Sequence, residues 1–238
     1  MKVLQIGNGG GLNPLSTNSS FLVMPDEATD DMILVDCGYN VMQKLIELEN
    51  DSKIRIATIK TVFITHDDDD HIGSLQTLIY WNYFKNGVVM DVIVHDSIAN
   101  RLEAVNNLLV DGVVTPTNIV EIITHKGNGA VITKYSLFYI VKGYHGAREA
   151  YGVCISNSNS TVFISGDTKA NRTIEERVSK VVGDNKALYY HDYSYWDDES
   201  KNVHACKTDF NREYSEEFRN KLIKYHTNDP IKIEWVTV

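Results

Sequence analysis

The stretch Thr65-His66-Asp67-Asp68-Asp69-Asp70-His71-Ile72-Gly73 places two imidazoles and four carboxylates in six consecutive positions. It follows the apolar run Val62-Phe63-Ile64, which reads as a buried strand. Carboxylates at that density repel one another unless something cationic sits among them. A pair of divalent metal ions meets that need, with His nitrogen and Asp oxygen as ordinary ligands for zinc, manganese or iron. A solvated acidic turn capping the following helix is the alternative, since Asp side chains satisfy free N–H groups at a helix N-terminus. The flanking histidines and the position after a strand favour metal.

The spacing His66-x-Asp68-x-Asp70-His71 resembles the HxHxDH signature of the metallo-β-lactamase fold, with Asp68 where the second His usually stands. The resemblance implies an α/β chain folded as a four-layer αββα sandwich. The substitution leaves the identity of the metal open.

At 238 residues and 43% hydrophobic content, the chain is long enough for one large domain, and no Pro- or Ser-rich linker divides it. Residues 1–238 are therefore read as one domain. The formal charge of −9 argues against broad affinity for nucleic acid, which requires a basic surface. Two divalent ions would offset four of those charges locally, so a small anionic substrate remains acceptable. Cys37, Cys154 and Cys206 show no CxxC spacing and cannot all pair, which favours free thiols in a reducing compartment. The apolar run at Met1–Ile6 is too short for a signal peptide, and no stretch approaches a membrane span. A cytoplasmic protein is expected, in its own cell or in a host.

Along the chain, Val3–Ile6 reads as a strand running into Gly7-Asn8-Gly9-Gly10-Gly11. A dinucleotide-binding fingerprint fails there because Leu12 replaces the last glycine and Pro14 interrupts any helix. The run is taken as a glycine-rich turn at the rim of a site. Phe21–Met24 and Ile33–Val35 read as strands, the second ending at Asp36-Cys37-Gly38. Val41–Leu48, Gly73–Phe84, Ser97–Leu109 and about Asp209–Lys224 have helical patterns, while 92–94, 121–123, 137–141, 151–155, 161–164 and 187–192 read as strands. Ile231–Val236 alternates like an edge strand. His95 and His125 each follow a strand and are read as hydrogen-bonded histidines, not ligands.

His145, the following hairpin and Gly166-Asp167-Thr168 resemble, in that order, the later metal motifs of RNase Z-like proteins. The opening of the chain is similar to theirs too, including the strand that ends at Asp36. The resemblance implies one ion held by His66, Asp68 and His145 and a second by Asp70, His71 and His226, with Asp167 shared. Asp36 would orient a ligating histidine, or simply form a strand-end turn. His191 and Asp192 stand where those proteins have a His-Glu pair. His204, in a degenerate His-Ala-Cys motif, stands at their catalytic histidine. Asp70 would also orient the nucleophile, and His204, polarised by Asp192, would protonate the departing oxygen. Tyr144, Tyr193 and Tyr195 are candidates for stacking on a base, with Tyr189, Tyr190 and Trp196 near them.

Only 22 positions separate His145 from Asp167. That leaves no room for the long arm with which similar tRNA-maturing enzymes grip their substrate. The whole pattern resembles compact RNase Z-like phosphodiesterases, including the anti-Pycsar proteins with which phages destroy cyclic pyrimidine nucleotide signals. It implies hydrolysis of 3′,5′-cyclic mononucleotides, cyclic CMP and UMP among them, by two divalent ions, zinc first and manganese or iron as alternatives. A homodimer is also implied. An RNA 3′-processing nuclease, another hydrolase of the same fold and a nucleotide-sequestering non-enzyme remain as rival readings.

Overall fold

A computed structural model describes residues 1–27, 31–110, 113–116, 118–133, 136–197 and 202–238. The strands are β1 (Lys2–Gly7), β2 (Ser20–Met24), β3 (Met32–Val35), β4 (Ile59–Phe63), β5 (Met90–His95), β6 (Asn107–Val110), β7 (Val113–Pro116), β8 (Val120–His125), β9 (Gly129–Ile132), β10 (Leu137–Lys142), β11 (Tyr151–Ser156), β12 (Ser160–Ile164), β13 (Lys186–Asp192), β14 (Leu222–Tyr225) and β15 (Trp235–Thr237). The helices are α1 (Val41–Asn50), α2 (Asp69–Ile72), α3 (Leu75–Tyr80), α4 (Asp96–Glu103), α5 (Arg172–Val182), α6 (Lys207–Glu213) and α7 (Glu216–Lys221).

Two large sheets form, in the orders β15-β1-β2-β3-β4-β5-β8 and β14-β13-β12-β11-β10-β9. Their central strands are buried and apolar on both faces, and alternation sends successive residues to different cores. Leu22, Leu34, Val62 and Val92 pack with Val41, Leu45, Leu75 and Ile98 of the helices outside the first sheet. Their neighbours Phe21, Val35, Phe63 and Ile93 meet Phe138, Val153, Val162 and Ile164 of the second sheet. Phe163 and Tyr189 face the other way, onto Ile174, Val178, Phe210 and Phe218. Three apolar layers thus separate four layers of structure, the expected αββα sandwich.

Several boundaries differ from the sequence reading. The helix expected over Ser97–Leu109 stops at Glu103, and 107–110 pairs with 113–116 as an antiparallel hairpin. The pair is joined in sequence by Asp111-Gly112, a dipeptide that favours two-residue hairpin turns over helix. The helix expected over 209–224 is two short helices and a strand. Ser215 caps α7 by accepting from Phe218 N, and Leu222–Tyr225 joins β13 in parallel. The pattern at 73–84 resolves into α3 followed by a wider turn over Trp81–Lys85. The edge strand at the chain's end is confined to Trp235–Thr237 and pairs with β1. Among the described residues, no helix is long and apolar enough to cross a membrane.

Direction matters most for function. Strands β1, β3, β4 and β5 of one sheet run the same way, as do β10, β12, β13 and β14 of the other. Asn8, Asp36, His66, His145, Asp167, Asp192 and His226 all stand at or just beyond the C-terminal ends of these strands.

Candidate metal centre

Three groups of possible ligands assemble at this edge, the third of them, Asp167, Asp192, His204 and His226, overlapping the second. In the first, His66, Asp68 and His145 converge, with Asp68 Oδ2 3.5 Å from Nε2 of both histidines. In the second, Asp70, His71, Asp167 and His226 converge. Asp70 Oδ2 lies 3.5 Å from His71 Nε2 and 3.4 Å from His226 Nε2, and Asp167 Oδ1 lies 3.3 Å from His71 Nε2. Asp167 Oδ2 reaches back to within 3.9 Å of His66 Nε2, so this carboxylate faces both sets.

The chemistry of these donors fits divalent ions. His66 Nε2, His71 Nε2 and Asp167 Oδ1 are buried and make no hydrogen bond. Buried polar atoms without partners are costly, and here they face one another. The tautomers agree. Asp36 can only accept, so His71 donates Nδ1–H to Asp36 Oδ2 at 2.8 Å, which leaves Nε2 as the atom that would give up its proton to a metal. Thr65 Oγ1 spends its one proton on Asp36 Oδ2 at 2.9 Å, so Thr65 Oγ1 in turn accepts Nδ1–H of His66 at 3.0 Å. Asp36 Oδ1 also accepts from Thr65 N at 2.8 Å. One buried carboxylate therefore aims a histidine in each set, directly for His71 and through Thr65 for His66. The turn that lets Asp36 do this requires Gly38, where any Cβ would stand 2.0 Å from the backbone oxygen of Asp70.

Charge in this cage is balanced by protons. Burial alone would strip His71 of its proton, but Asp167 and Asp36 outweigh burial and hold its pKa well above the usual histidine value. Burial pushes Asp167 up, and the surrounding His226, His71 and His66 more than reverse this, holding its carboxyl well below the usual range. These are the places in the charge balance that entering cations would take.

His204 stands beside both sets. Its Nδ1 lies 2.9 Å from Asp192 Oδ2 and 3.6 Å from Asp167 Oδ2. Burial opposes its charge, but Asp192 and then Asp167 prevail and raise its pKa. Asp192 is fully buried and also accepts from Thr168 N at 2.8 Å, so its carboxylate is fixed in place. A cleft of about 370 Å³ opens over the ligands, lined by Leu12, Tyr39, Asp68, His145, Val203 and His204 among others. A second of about 370 Å³ adjoins it across His204 and His226, bounded by Asn13, Tyr193 and Tyr195. Larger clefts elsewhere, of about 450 and 480 Å³, contain none of these ligands.

Other sequence-predicted residues sort differently. His191 does not join the site. Strand alternation sends it to the opposite face from Asp192, where Nε2 meets Tyr214 OH at 2.7 Å and Nδ1 meets Asp192 O at 2.8 Å. Tyr193 borders the second cleft but is buried, with Lys224 Nζ 3.8 Å over its ring, so it is a wall and not a free stacking face. Tyr189 and Tyr190 are core. Tyr195 is 66% exposed and its hydroxyl is anchored to Asp229 Oδ2 at 2.7 Å; Tyr144 is half-exposed, its hydroxyl 3.0 Å from Thr173 Oγ1. His95 and His125 lie outside both ligand sets, packed on Tyr151.

Two residues of the site went unread in the sequence. Thr65, adjacent to His66, carries the relay from Asp36. Arg148, three positions after His145, puts NH1 2.9 Å from Asp68 Oδ1 and leaves Oδ2 to the histidines. A basic residue close behind a predicted ligand, with a carboxylate at an unusual ligand position, was the available signal.

The family model for "Anti-Pycsar protein Apyc1" matches residues 1–234. The Apyc1 protein of Bacillus phage BSP38 is 28% identical over 102 residues, 42% of this chain and 38% of that one. Ribonuclease Z of Prochlorococcus marinus strain NATL1A is 32% identical over 79 residues, 33% of this chain. That match spans only 24% of the ribonuclease. Among solved structures, the short form of human tRNase Z (ELAC1) superposes with a TM-score of 0.71 at 14% identity, covering 100% of this chain and 99% of that one. The metallo-β-lactamase fold protein YhfI of Bacillus subtilis does so at 0.70 and 18%, covering 97% and 88%. At such identities the superpositions establish the metallo-β-lactamase fold and nothing finer. The match to the family model runs almost from end to end, and this chain belongs to the anti-Pycsar Apyc1 family.

Proposed function

We propose that the chain is a phosphodiesterase that uses two divalent metal ions to open 3′,5′-cyclic mononucleotides, cyclic CMP and UMP among them, to 5′-monophosphates. The observation that carries the reading is the pairing of two ligand sets through Asp167 with a carboxylate-backed histidine, His204, at the mouth of the cleft.

His66, Asp68 and His145 would hold one ion and Asp70, His71 and His226 the other, with Asp167 between them. When bound, such ions supply Lewis-acid stabilisation of phosphoryl oxygens and an acidified water. The chain's own groups do the rest. Asp192 accepts Nδ1–H of His204, which leaves Nε2 as the atom that hands a proton to the departing ribose oxygen. A positioned acid of this kind contributes roughly 10²–10⁴ in rate. Asp70, beside His226 at the floor of the cleft, orients the attacking water. Tyr195, its ring steadied through Asp229, offers an exposed face to a base, which tolerates different bases.

Substrate size supports a small molecule. The two adjoining clefts fall within the roughly 300–1,000 Å³ of small-ligand sites. The segment between His145 and Asp167 is the β11–β12 hairpin. The relatives point two ways, toward ribonuclease Z and toward anti-Pycsar proteins. The short hairpin and the charge of −9 favour the second, whose role would be to remove cyclic-nucleotide signals in the cytoplasm of an infected host. Zinc suits the mixed ligand set, with manganese and iron as alternatives. The chain is also taken to act as a homodimer, which sedimentation would test.

The direct test incubates metal-loaded protein with cyclic CMP, UMP, AMP and GMP and follows products by chromatography, alongside Asp167→Ala and His204→Ala. The proposal expects 5′-monophosphates from wild type and almost none from either variant. Intact nucleotides with folded, metal-bound protein would remove it, and linear RNA ends would be tried next.

A further inference from the structure

The glycine-rich turn after β1 plays no part in the chemistry above, yet it lies directly against the second ligand set. A Cβ at Gly11 would stand 3.0 Å from Asp70 Oδ1, and one at Gly10 would stand 3.1 Å from His226 Nε2. Either would push its ligand by a few tenths of an ångström. The chain carries no side chain at the two points where it passes closest to these ligands.

Asn8, in the same turn, is buried and uses both ends of its amide on the segment that carries His226. Its Oδ1 accepts from His226 N at 2.8 Å, and its Nδ2 donates to Thr227 Oγ1 at 2.9 Å and to Asp229 O at 3.0 Å. Its carbonyl accepts from Asn228 N at 2.9 Å, and Asn228 Oδ1 in return accepts from Gly10 N at 3.0 Å. The segment needs holding. His226 and Asn228 have φ of 64° and 63°, a left-handed conformation that a non-glycine residue keeps only when its surroundings impose it. The amide of Asn8 supplies such a restraint from across the fold, through its bond to His226 N.

We propose that the Gly7–Gly11 turn is a positioning clasp for the second ligand set. Asn8 is its positioning residue and holds the strained His226 backbone, and Gly10 and Gly11 form a bare wall that seats the His226 ring and the Asp70 carboxylate. The inference rests on the metal reading above. Asn8 acts through His226 and touches no substrate. The clasp reaches the rim as well, because Thr227 Oγ1 and Tyr195 OH both donate to Asp229 Oδ2.

The test titrates chelator-stripped protein with Zn²⁺ by calorimetry, with circular dichroism as the check on folding. The variants are Asn8→Ala, Gly11→Ala, Thr227→Val, Thr227→Ser and His226→Ala, the last with and without Asn8→Ala. Wild type takes two ions. Asn8→Ala and Gly11→Ala each lose 10–100-fold in affinity for one ion and little for the other, the range seen when a ligand's supporting partner is removed. Thr227→Val loses less, and Thr227→Ser, which keeps the hydroxyl, matches wild type. Adding Asn8→Ala to His226→Ala costs nothing more, because the residue through which Asn8 acts is already gone. If Asn8→Ala fails to fold, Gly11→Ala and Thr227→Val carry the test. Two ions at wild-type affinity in the folded clasp variants overturns the clasp. Fewer than two ions in wild type overturns the reading of the site on which it rests.

Discussion

The two ligand sets are built to different standards of support. In the second, His71 is tied to Asp36, His226 leans on Asp192 with Nδ1 3.4 Å from Oδ1, and its backbone is held by Asn8. In the first, His66 is tied at one remove through Thr65, and His145 Nδ1 is buried with no hydrogen bond at all. Asp68 has a 27% exposed side chain, and its cationic partner Arg148 is a surface residue. A ligand whose free atoms are already committed keeps its aim when the ion leaves, so support around a site governs affinity. The second set should therefore fill first and hold its ion more tightly.

The largest expected effect comes from the residue that both sets share. Asp167→Ala should erase the difference between them, leaving at most one weakly held ion and activity reduced by at least about 10³. Elemental analysis after dialysis checks the first part; two ions retained would mean that the sets are independent. Asp36→Ala comes next, because it leaves His71, Thr65 N and Thr65 Oγ1 without their acceptor. Metal affinity should fall about 10–100-fold at the second set, with a smaller loss at the first. Urea unfolding of the apoprotein should show a loss of about 3 kcal/mol, since each buried unpaired group costs about 1–3 kcal/mol.

Arg148→Ala sharpens the comparison from the other side. If Arg148 fixes which oxygen of Asp68 faces the histidines, the first ion should loosen by about tenfold, and Arg148→Lys should recover part of this. If it acts only as a repelling charge, the same titration would show tighter binding. The smallest effect is in pH. The histidines must be neutral and the carboxylates ionised to bind metal, so uptake releases protons and affinity falls as pH falls. Asp167 and its neighbouring carboxylates hold the protons of His71 and His226 in the second set more firmly than on an ordinary histidine, whereas burial lowers His145 of the first. The second set should therefore lose affinity more steeply on acidification, and the gap between the sets should narrow. Zinc titrations at two pH values check this, and an unchanged gap would count against it.

The dense His66–His71 run was legible by composition and spacing, whereas His145, Asp167 and His226 stood out through the order they share with RNase Z-like motifs. Position after a strand does not suffice, since His95 and His125 share it and lie outside both ligand sets. The αββα layering followed from the resemblance of the His66–His71 spacing to the metallo-β-lactamase signature; the apolar runs mark buried strands but do not order them into layers. The misread helix at 209–224 shows the limit. Leu222-Ile223-Lys224-Tyr225 suits a helix or a strand equally well, and its parallel pairing with β13 decides the matter. His191 was avoidable, because adjacent residues of one strand cannot both face the same site. Asn8 was not, since its partner His226 N lies 218 positions away and no local pattern connects them.

On the proposed function, two unequal metal sites act as one catalytic centre. The most direct test is to strip the protein of metal, add Zn²⁺ back stepwise and measure hydrolysis of cyclic CMP at each ratio. One ion should bind tightly with almost no turnover, and activity should then rise as the second ion binds and reach a plateau at two. Full activity at one ion per chain, or none at two, would contradict this reading.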